Sequence, residues 1–328
     1  MSTRQLTARR AGSNQSLLAF KKDADMISDP RSTSSSTHIP SAPGPNSPLT
    51  ESYVYHSPMP TAPGPYILGV DEAGRGPVLG PLVYGVAYCP TAWKSELEEL
   101  GFADSKTLTP EKRTELLGVM NSEPANLGCP QAISRGMLKI PPTNLNKQSQ
   151  DATILLIREV LQRGIQLSEV YVDALGTTTT YEAYLSSLFP GISFTVTTKA
   201  DSKFKIVGAA SVAAKVTRDA CVEGWSFEEI QDTDVKDNAF SKDFGSGYPS
   251  DPKTKGWING SMDPTFGFPS LVRFSWTTVK VVLEKSAHPI KWVDEQEPLL
   301  GAFGSGIGRD KGRNVVARDL CLHSVGKL

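Results

Sequence analysis

Apolar residues in the middle of the chain fall into short continuous runs that predict buried strands. Tyr66–Asp71 and Leu82–Cys89 are separated by a turn rich in Gly and Pro, and their closeness predicts an antiparallel hairpin. Two later runs, Glu169–Asp173 and Ile192–Thr197, have the length of further strands. The first and third of these four runs end in an acidic residue.

Between and after these runs, apolar residues recur at helical spacing. Thr109-Pro110-Glu111 has the composition of a helix start, with Thr as the cap and Pro in the first turn. Asp151–Leu161 and Val207–Val222 follow a helical pattern, and a last helix is predicted from Phe274-Ser275-Trp276 to about Glu284. Helices that alternate with buried strands after a hairpin predict an α/β fold, a mixed sheet with helices on both faces.

The two ends of the chain lack this periodicity. Residues 1–65 are rich in Ser, Thr and Pro and bury too little apolar surface to offset the entropy of ordering, so we predict a disordered tail. Residues 66–222 form the predicted main domain and residues 223–286 a helical extension. Residues 287–328 are rich in Gly and are predicted to form a second loose tail.

Composition removes some classes of protein and leaves others open. Lys and Arg number 34 and Asp and Glu 35, so the net charge of −1 neither supports nor excludes nucleic-acid binding, which needs only a local basic patch. The four cysteines form no CxxC pair, so we expect reduced intracellular thiols and no zinc site. No apolar stretch reaches the roughly 20 residues that span a membrane, and no membrane partner is expected.

The densest group of chemically capable residues follows the first strand. Asp71 and Glu72 are adjacent carboxylates at the strand end, and Gly74-Arg75-Gly76 comes directly after them. Like charges this close raise each other's pKa unless a cation compensates, and oxygen-rich sites suit Mg²⁺ or Mn²⁺. The glycines let the backbone approach a ligand, and the arginine offers a fork of donors for phosphate or sugar. An ordinary turn with solvated acids is the alternative.

Two further acids would complete a metal site. Asp173 closes its strand, and neighbouring strands lie about 4.8 Å apart, so Asp71 and Asp173 would grip one ion if their strands are adjacent. Asp201 precedes the Ala-rich helix, where a helix cap is the alternative role. Two ions roughly 3.5–4 Å apart suit in-line attack on a phosphodiester.

Six motifs in a fixed order identify the family that the sequence resembles. They are Gly69–Pro77, Ala103–Lys106, Asp173, Lys199–Asp201, Ala209–Val216 and Gly245–Pro252. The set resembles type 2 ribonuclease H over about residues 66–284, and Val272–Trp276 with the preceding Phe-Pro pair resembles the catalytic (A) subunit of the eukaryotic heterotrimer. The resemblance implies a ribonuclease H-like fold in which residues 66–222 are catalytic and residues 223–286 contact substrate and partner.

The resemblance also implies roles for individual residues. Gly74, Arg75 and Gly76 match the turn that senses the ribose 2′-hydroxyl, the group that distinguishes RNA from DNA. Tyr248 matches a tyrosine that stacks on the sugar of the next nucleotide. The carboxylates that hold two divalent ions, Mg²⁺ or Mn²⁺, match Asp71, Glu72, Asp173 and Asp201.

Two lysines remain open between two roles. Lys106 and Lys215 are candidate phosphate contacts, and a structural ion pair is the alternative for each.

Two segments of the chain depart from the family pattern. Residues 121–130 are short and carry two prolines where a third strand is expected, and residues 232–243 form a charged insertion that should lie on the surface.

The implied reaction is hydrolysis on the 5′ side of a ribonucleotide, leaving 3′-hydroxyl and 5′-phosphate ends. Its substrates would be RNA–DNA hybrids and duplex DNA with embedded ribonucleotides, in DNA replication, DNA repair and primer removal. Eukaryotic members act with two non-catalytic subunits, and the helix at 275–284 is the candidate contact. The nucleus is the expected compartment, although the basic first 22 residues faintly resemble a mitochondrial transit peptide.

Two other functions fit part of the pattern. Another two-metal phosphodiesterase of this fold, such as an integrase or a junction resolvase, would need the carboxylates but not Gly74-Arg75-Gly76 with Tyr248. A non-catalytic nucleic-acid-binding subunit would not need all four acids, and all four are present.

Overall fold

Six strands in the described residues form one mixed sheet. The computed structural model describes residues 39–44, 47–102, 107–139, 142–174, 176–229 and 240–288. The chain divides into units 1–287 and 288–328, and the fold below is that of the first. The sheet order is β1-β4-β3-β2-β5-β6, with bounds β1 Tyr53–Tyr55, β2 Tyr66–Ala73, β3 Leu82–Pro90, β4 Gln131–Ser134, β5 Leu167–Asp173 and β6 Ser193–Thr197.

Helices connect most of these strands. A 3-10 helix, Thr91–Trp93, leads into the first α-helix. The α-helices within the described ranges are α1 Lys94–Glu99, α2 Pro110–Ser122, α3 Leu145–Gln162, α4 Thr178–Leu188, α5 Ala200–Lys203, α6 Lys205–Glu223, α7 Pro252–Gly260 and α8 Thr277–Ser286. None of the described helices is long and apolar enough to cross a membrane.

Alternation along β2 separates the two faces of the sheet. Leu68 and Val70 belong to a core that also contains residues of α3 and α4, such as Leu156. Ile67 belongs to the core on the opposite face, which α1, α2 and α6 cover. β2 pairs antiparallel with β3 and parallel with β5. The predicted hairpin and the predicted mixed sheet with helices on both faces are therefore confirmed.

The backbone of α6 lies directly on the centre of the sheet because two strand residues have no side chain. A Cβ atom at Gly69 would lie 2.4 Å from the carbonyl oxygen of Ile206, and one at Gly85 would lie 2.4 Å from that of Ala210. Both contacts are to helix backbone, which cannot rotate away as a flexible side chain would. This close approach sets the distance between α6 and the residues that follow Gly69 on β2.

Replacement of Gly69 by Ala should therefore destabilise the fold. We expect a loss of about 1–3 kcal/mol in the free energy of unfolding, because the added methyl group overpacks the contact between sheet and helix. Urea denaturation followed by circular dichroism measures it. The matched control is Gly118→Ala on α2, where nothing lies within 4 Å and Ala should instead stabilise the helix by roughly 0.5–1 kcal/mol.

The structure corrects the predicted start of order at Pro65. β1 pairs antiparallel with β4, and Leu49 and Val54 are buried in the core clusters. The segment is too short and too rich in Ser and Pro to show a period in the sequence. Its apolar residues are buried only because β4 provides an edge to pair with.

The third strand forms just after residues 121–130 rather than within them, as β4. All four residues of β4 are buried, because β1 and β3 flank it on both sides.

The predicted extension after residue 222 is not a separate domain, since Leu271 and Val272 share a core cluster with Val78 and Leu79. The predicted insertion at 232–243 lies mostly outside the described residues. Of the four cysteines, Cys89, Cys129 and Cys221 are described, and these are buried free thiols, as expected.

Candidate active site

Acidic residues meet where two parallel strands end side by side. Val70 of β2 pairs with Val172 of β5, which places Asp71 beside Asp173 at the next position. The predicted adjacency of these two strands is confirmed. Asp71 is buried, its Oδ1 accepts a hydrogen bond from the backbone N–H of Glu72 at 2.7 Å, and Ser211 of α6 also hydrogen-bonds its carboxyl group.

Asp201 follows the turn at the end of β6, next to a residue that hydrogen-bonds Asp173. Asp173 pairs with Thr197, after which the chain turns through Lys199 in the left-handed region at φ 54°. The backbone N–H of Ala200 then donates to Oδ1 of Asp173 at 2.8 Å. Asp201 is the next residue and is buried, with Oδ1 accepting from the N–H of Ser202 at 2.9 Å.

The acids occupy two faces of the sheet. Asp71 and Asp173 lie on the α6 side, whereas strand alternation places Glu72 on the side of α3 and α4. Among the described residues, no group of three or more His, Cys, Asp or Glu side chains is already disposed to hold a metal ion. The structure therefore does not bring the four predicted acids together as one ready-made metal site.

Electrostatics nonetheless suit a cation. Burial raises the pKa of Asp71 well above its ordinary value, and the charges of Glu72 and Asp173 raise it further, against the opposing hydrogen bond from Ser211. Carboxylates buried among like charges are stabilised by a hard divalent cation with oxygen ligands. By its chemistry, the donor set fits Mg²⁺ or Mn²⁺.

Arg75 is held at the edge of a cleft of about 520 Å³ between α3 and α4. Its Nη1 donates to Oγ of Ser149 at 2.7 Å, and its Nη2 donates to Oδ1 of Asn146 at 2.6 Å. Glu72 also lines this cleft, so the carboxylate and the guanidinium face one cavity. Sequence reasoning missed Ser149 and Asn146, which lie outside every motif of the family set.

Tyr248 lies over the Gly-Arg-Gly turn. A Cβ atom on Gly76 would be 3.0 Å from Cε1 of the Tyr248 ring, and the tyrosine is 48% exposed. The N–H of Val78 donates to the carbonyl of Gly247 at 2.8 Å and joins the two loops. Two motifs that are far apart in the chain therefore form one surface, with an accessible aromatic ring against Gly76.

The remaining predicted contacts have different outcomes. Lys215 forms an ion pair with Asp219 one turn along α6, at 2.6 Å, which is the structural alternative named for it. Lys106 lies outside the described residues. Sequence reasoning gave no role to Ser211, Arg273 or Trp276, although all three lie within motifs that carry the family resemblance.

These features define a class of protein. The fold matches that of a solved ribonuclease H2 from Pyrococcus horikoshii with a TM-score of 0.53 and 31% sequence identity, over 67% of this chain and 98% of that one. The class is therefore a nuclease of the ribonuclease H-like fold.

Sequence comparisons then specify the family. The family model described as Ribonuclease HII matches residues 68–279. The A subunit of ribonuclease H2 from Rattus norvegicus is 46% identical over 244 residues, which covers 71% of this chain and 79% of that one. The corresponding human protein is 46% identical over 236 residues, covering 70% and 77%. The chain belongs to the ribonuclease HII family and is a ribonuclease H, similar to the catalytic A subunits of the type 2 enzyme.

Proposed function

We propose that this ribonuclease H cuts the RNA strand of RNA–DNA hybrids and incises on the 5′ side of single ribonucleotides in duplex DNA. The supporting observation is one juxtaposition, in which the buried Asp71, repelled by the neighbouring Asp173, lies shortly before the turn that Tyr248 covers. The acids would act on a phosphodiester, and the turn and ring would select the sugar beside it.

Four carboxylates would hold two divalent ions. These carboxylates are those of Asp71 and Asp173, with Glu72 and Asp201 completing the set. Bound Mg²⁺ or Mn²⁺ supplies an acidified water and charge stabilisation for the leaving oxygen. Ser211 and the N–H of Ala200 orient Asp71 and Asp173 respectively.

The turn provides selectivity for RNA. The 2′-hydroxyl is the one group that marks a ribonucleotide in a DNA strand, so a sensor must approach the sugar edge closely. Arg75 is fixed by Ser149 and Asn146 at the wall of the cleft, and the absence of a side chain at Gly76 lets the Tyr248 ring lie against the turn. The Tyr248 ring is accessible for stacking on the neighbouring sugar.

Partner subunits would bind near the end of the chain. The relatives are named as A subunits, which indicates an enzyme of several subunits, and we propose a heterotrimer with two non-catalytic subunits. Val281 on α8 is 54% exposed and Phe266 is 78% exposed, which offers apolar surface in this region. We place the activity in the nucleus, in ribonucleotide removal during DNA replication and repair and in removal of RNA primers.

The experiment compares three duplexes of one sequence: all DNA, DNA with one ribonucleotide, and an RNA–DNA hybrid. The purified chain, alone and with the two further subunits, is incubated with each in Mg²⁺, in Mn²⁺ and in EDTA. We expect metal-dependent cutting of the second and third only, with 5′-phosphate on the downstream product. Equal cutting of the all-DNA duplex would instead indicate a general phosphodiesterase, and no cutting in any mixture would indicate a non-catalytic protein.

A further inference from the structure

Arg273 is a fully buried cation whose partners lie at both ends of one loop. The residue is 0% exposed. Nη2 donates to the carbonyl of Gly74 at 2.5 Å and to that of Pro81 at 3.1 Å, Nη1 donates to that of Arg75 at 3.2 Å, and Nε donates to that of Gly80 at 2.9 Å. The loop from 74 to 81 connects β2 to β3 and contains the Gly-Arg-Gly turn.

Trp276 extends this arrangement by one residue. Its indole N–H donates to the carbonyl of Gly76 at 3.3 Å, and its ring lies 4.9 Å from the guanidinium carbon of Arg273. The carbonyls of three consecutive residues, Gly74, Arg75 and Gly76, therefore all accept from this pair of side chains. We call Arg273 and Trp276 the latch.

Holding a carbonyl also fixes the N–H on the other side of the same peptide. A trans peptide is planar and its N–H points opposite to its C=O. With the carbonyls of Gly74 and Arg75 directed at Arg273, the N–H groups of Arg75 and Gly76 point away from it. The latch thus sets the direction of two backbone donors in the turn.

The number and arrangement of its acceptors explain why this position is an arginine. Within the described residues the hydrogen-bond partners of this guanidinium are backbone carbonyls and none is a carboxylate, so the burial cost is not offset by an ion pair. Burial and the neighbouring Arg218 lower the pKa of Arg273 to about 9, and it remains protonated at neutral pH. Only a planar fork of five donors can serve four carbonyls at once.

We propose that Arg273 and Trp276 are positioning residues for ribonucleotide recognition, because they fix the peptide orientations of the Gly74–Gly76 turn. This inference rests on the proposed role of that turn in sensing the ribose. Neither side chain needs to touch the substrate. Their loss should slow the step that depends on the 2′-hydroxyl and spare duplex binding.

Trp276→Phe is the principal test, because it keeps an aromatic ring for Arg273 and removes only the N–H donor. The full chain, assembled with its partner subunits, is assayed on duplex DNA with one ribonucleotide and on the same duplex with a 2′-deoxy-2′-fluoro nucleotide, which has no 2′-hydroxyl donor. Cleavage is followed with enzyme in excess, and duplex affinity is measured in EDTA by fluorescence anisotropy.

We expect Trp276→Phe to lower the rate on the ribonucleotide duplex about three- to tenfold, the effect of one net hydrogen bond, with the rate on the fluoro duplex and the affinity unchanged. Arg273→Lys should lower the same rate about a hundredfold, since several bonds to a charged group are lost. A thermal melt shows whether Arg273→Lys is folded. If it is not folded, the result for Trp276→Phe tests the proposed positioning role. Glu115→Gln, exposed on α2 and away from the proposed partner contact, is the control and should match the parent.

Two results would contradict the proposed positioning role of the latch. One is an unchanged ribonucleotide rate in Trp276→Phe, and the other is an equal loss on both duplexes and in affinity, which would mean a general structural role. A parent enzyme that fails on the ribonucleotide duplex would instead contradict the proposed function itself.

Discussion

Asp71→Asn should lower cleavage of an RNA–DNA hybrid by at least about a thousandfold, because removing one charge from the buried cluster removes several kcal/mol of metal-assisted stabilisation of the transition state. Asp71 is the residue at which burial, Glu72 and Asp173 act together on one carboxyl group. Single-turnover rates in Mg²⁺ and Mn²⁺ measure the loss.

Glu115→Gln provides the control for removal of one negative charge. Its side chain is 62% exposed on α2 and pairs with Lys112 at 2.8 Å, where surface screening leaves little effect on the fold or the site. It should cut at the parental rate. If Asp71→Asn cut as fast as the parent, the metal-binding role of Asp71 would be wrong.

The same Asp71 substitution should stabilise the protein in EDTA. The folded-state pKa of Asp71 is raised, so its contribution to stability is present at low pH and is lost as pH rises through that pKa. At neutral pH this carboxyl group therefore destabilises the metal-free fold relative to an uncharged side chain, and Asn removes that cost. We expect a gain on the order of 2 kcal/mol, or about 4–8 °C in the melting temperature.

Thermal melts between pH 4 and pH 8 in EDTA test this expectation. The parent should lose stability as pH rises above the unfolded-state Asp pKa of about 3.9, and Asp71→Asn should show a smaller slope. Added Mg²⁺ should raise the melting temperature of the parent more than that of the variant. A variant that melts below the parent at neutral pH in EDTA would contradict the account of a strained carboxylate cluster.

Arg75→Ala has the second large expected effect, on selectivity. We expect kcat/KM on a duplex with one ribonucleotide to fall about a hundredfold, since two charge-assisted hydrogen bonds that fix the turn are lost. Discrimination between ribo- and deoxyribo-linkages should weaken more than duplex binding does. Arg75 contacts Ser149 and Asn146 rather than the acids, so the metal affinity should be retained.

Arg75→Lys and Ser149→Ala separate charge from geometry. Lysine keeps the charge but cannot hold both partners as a planar fork, so it should recover binding and little of the selectivity. Ser149→Ala removes one tether and should have a milder effect of the same kind. Equal losses in duplex affinity and in selectivity for Arg75→Ala would count against a sensing role.

Local sequence determined the central strands and helices of this protein. The hairpin of β2 and β3 follows from two apolar runs around a Gly/Pro turn. The start of α2 follows from Thr109, whose side chain accepts from the N–H of Lys112 as a cap. α7 also has a local signal, the cap Asp251 before Pro252, although the same residues are equally typical of a turn.

Other elements had no such local signal. The sequence Thr178–Leu188 contains three β-branched threonines in its first turn, so its helix forms because Leu185 is buried in the core. β1 is similar, since only its pairing with β4 makes its three residues a strand. These contacts are between distant segments, and their energy appears only when the segments pack together.

The candidate site divides in the same way. Its motifs and its four acids could be read from the sequence, because chemistry restricts residue type at each position. The sequence could not reveal that Arg273 binds carbonyls nearly 200 residues away, or that Ser149 and Asn146 hold Arg75. Residue type limits what a side chain can bind, whereas its actual partners depend on which backbone groups the packed sheet and helices bring within hydrogen-bonding distance.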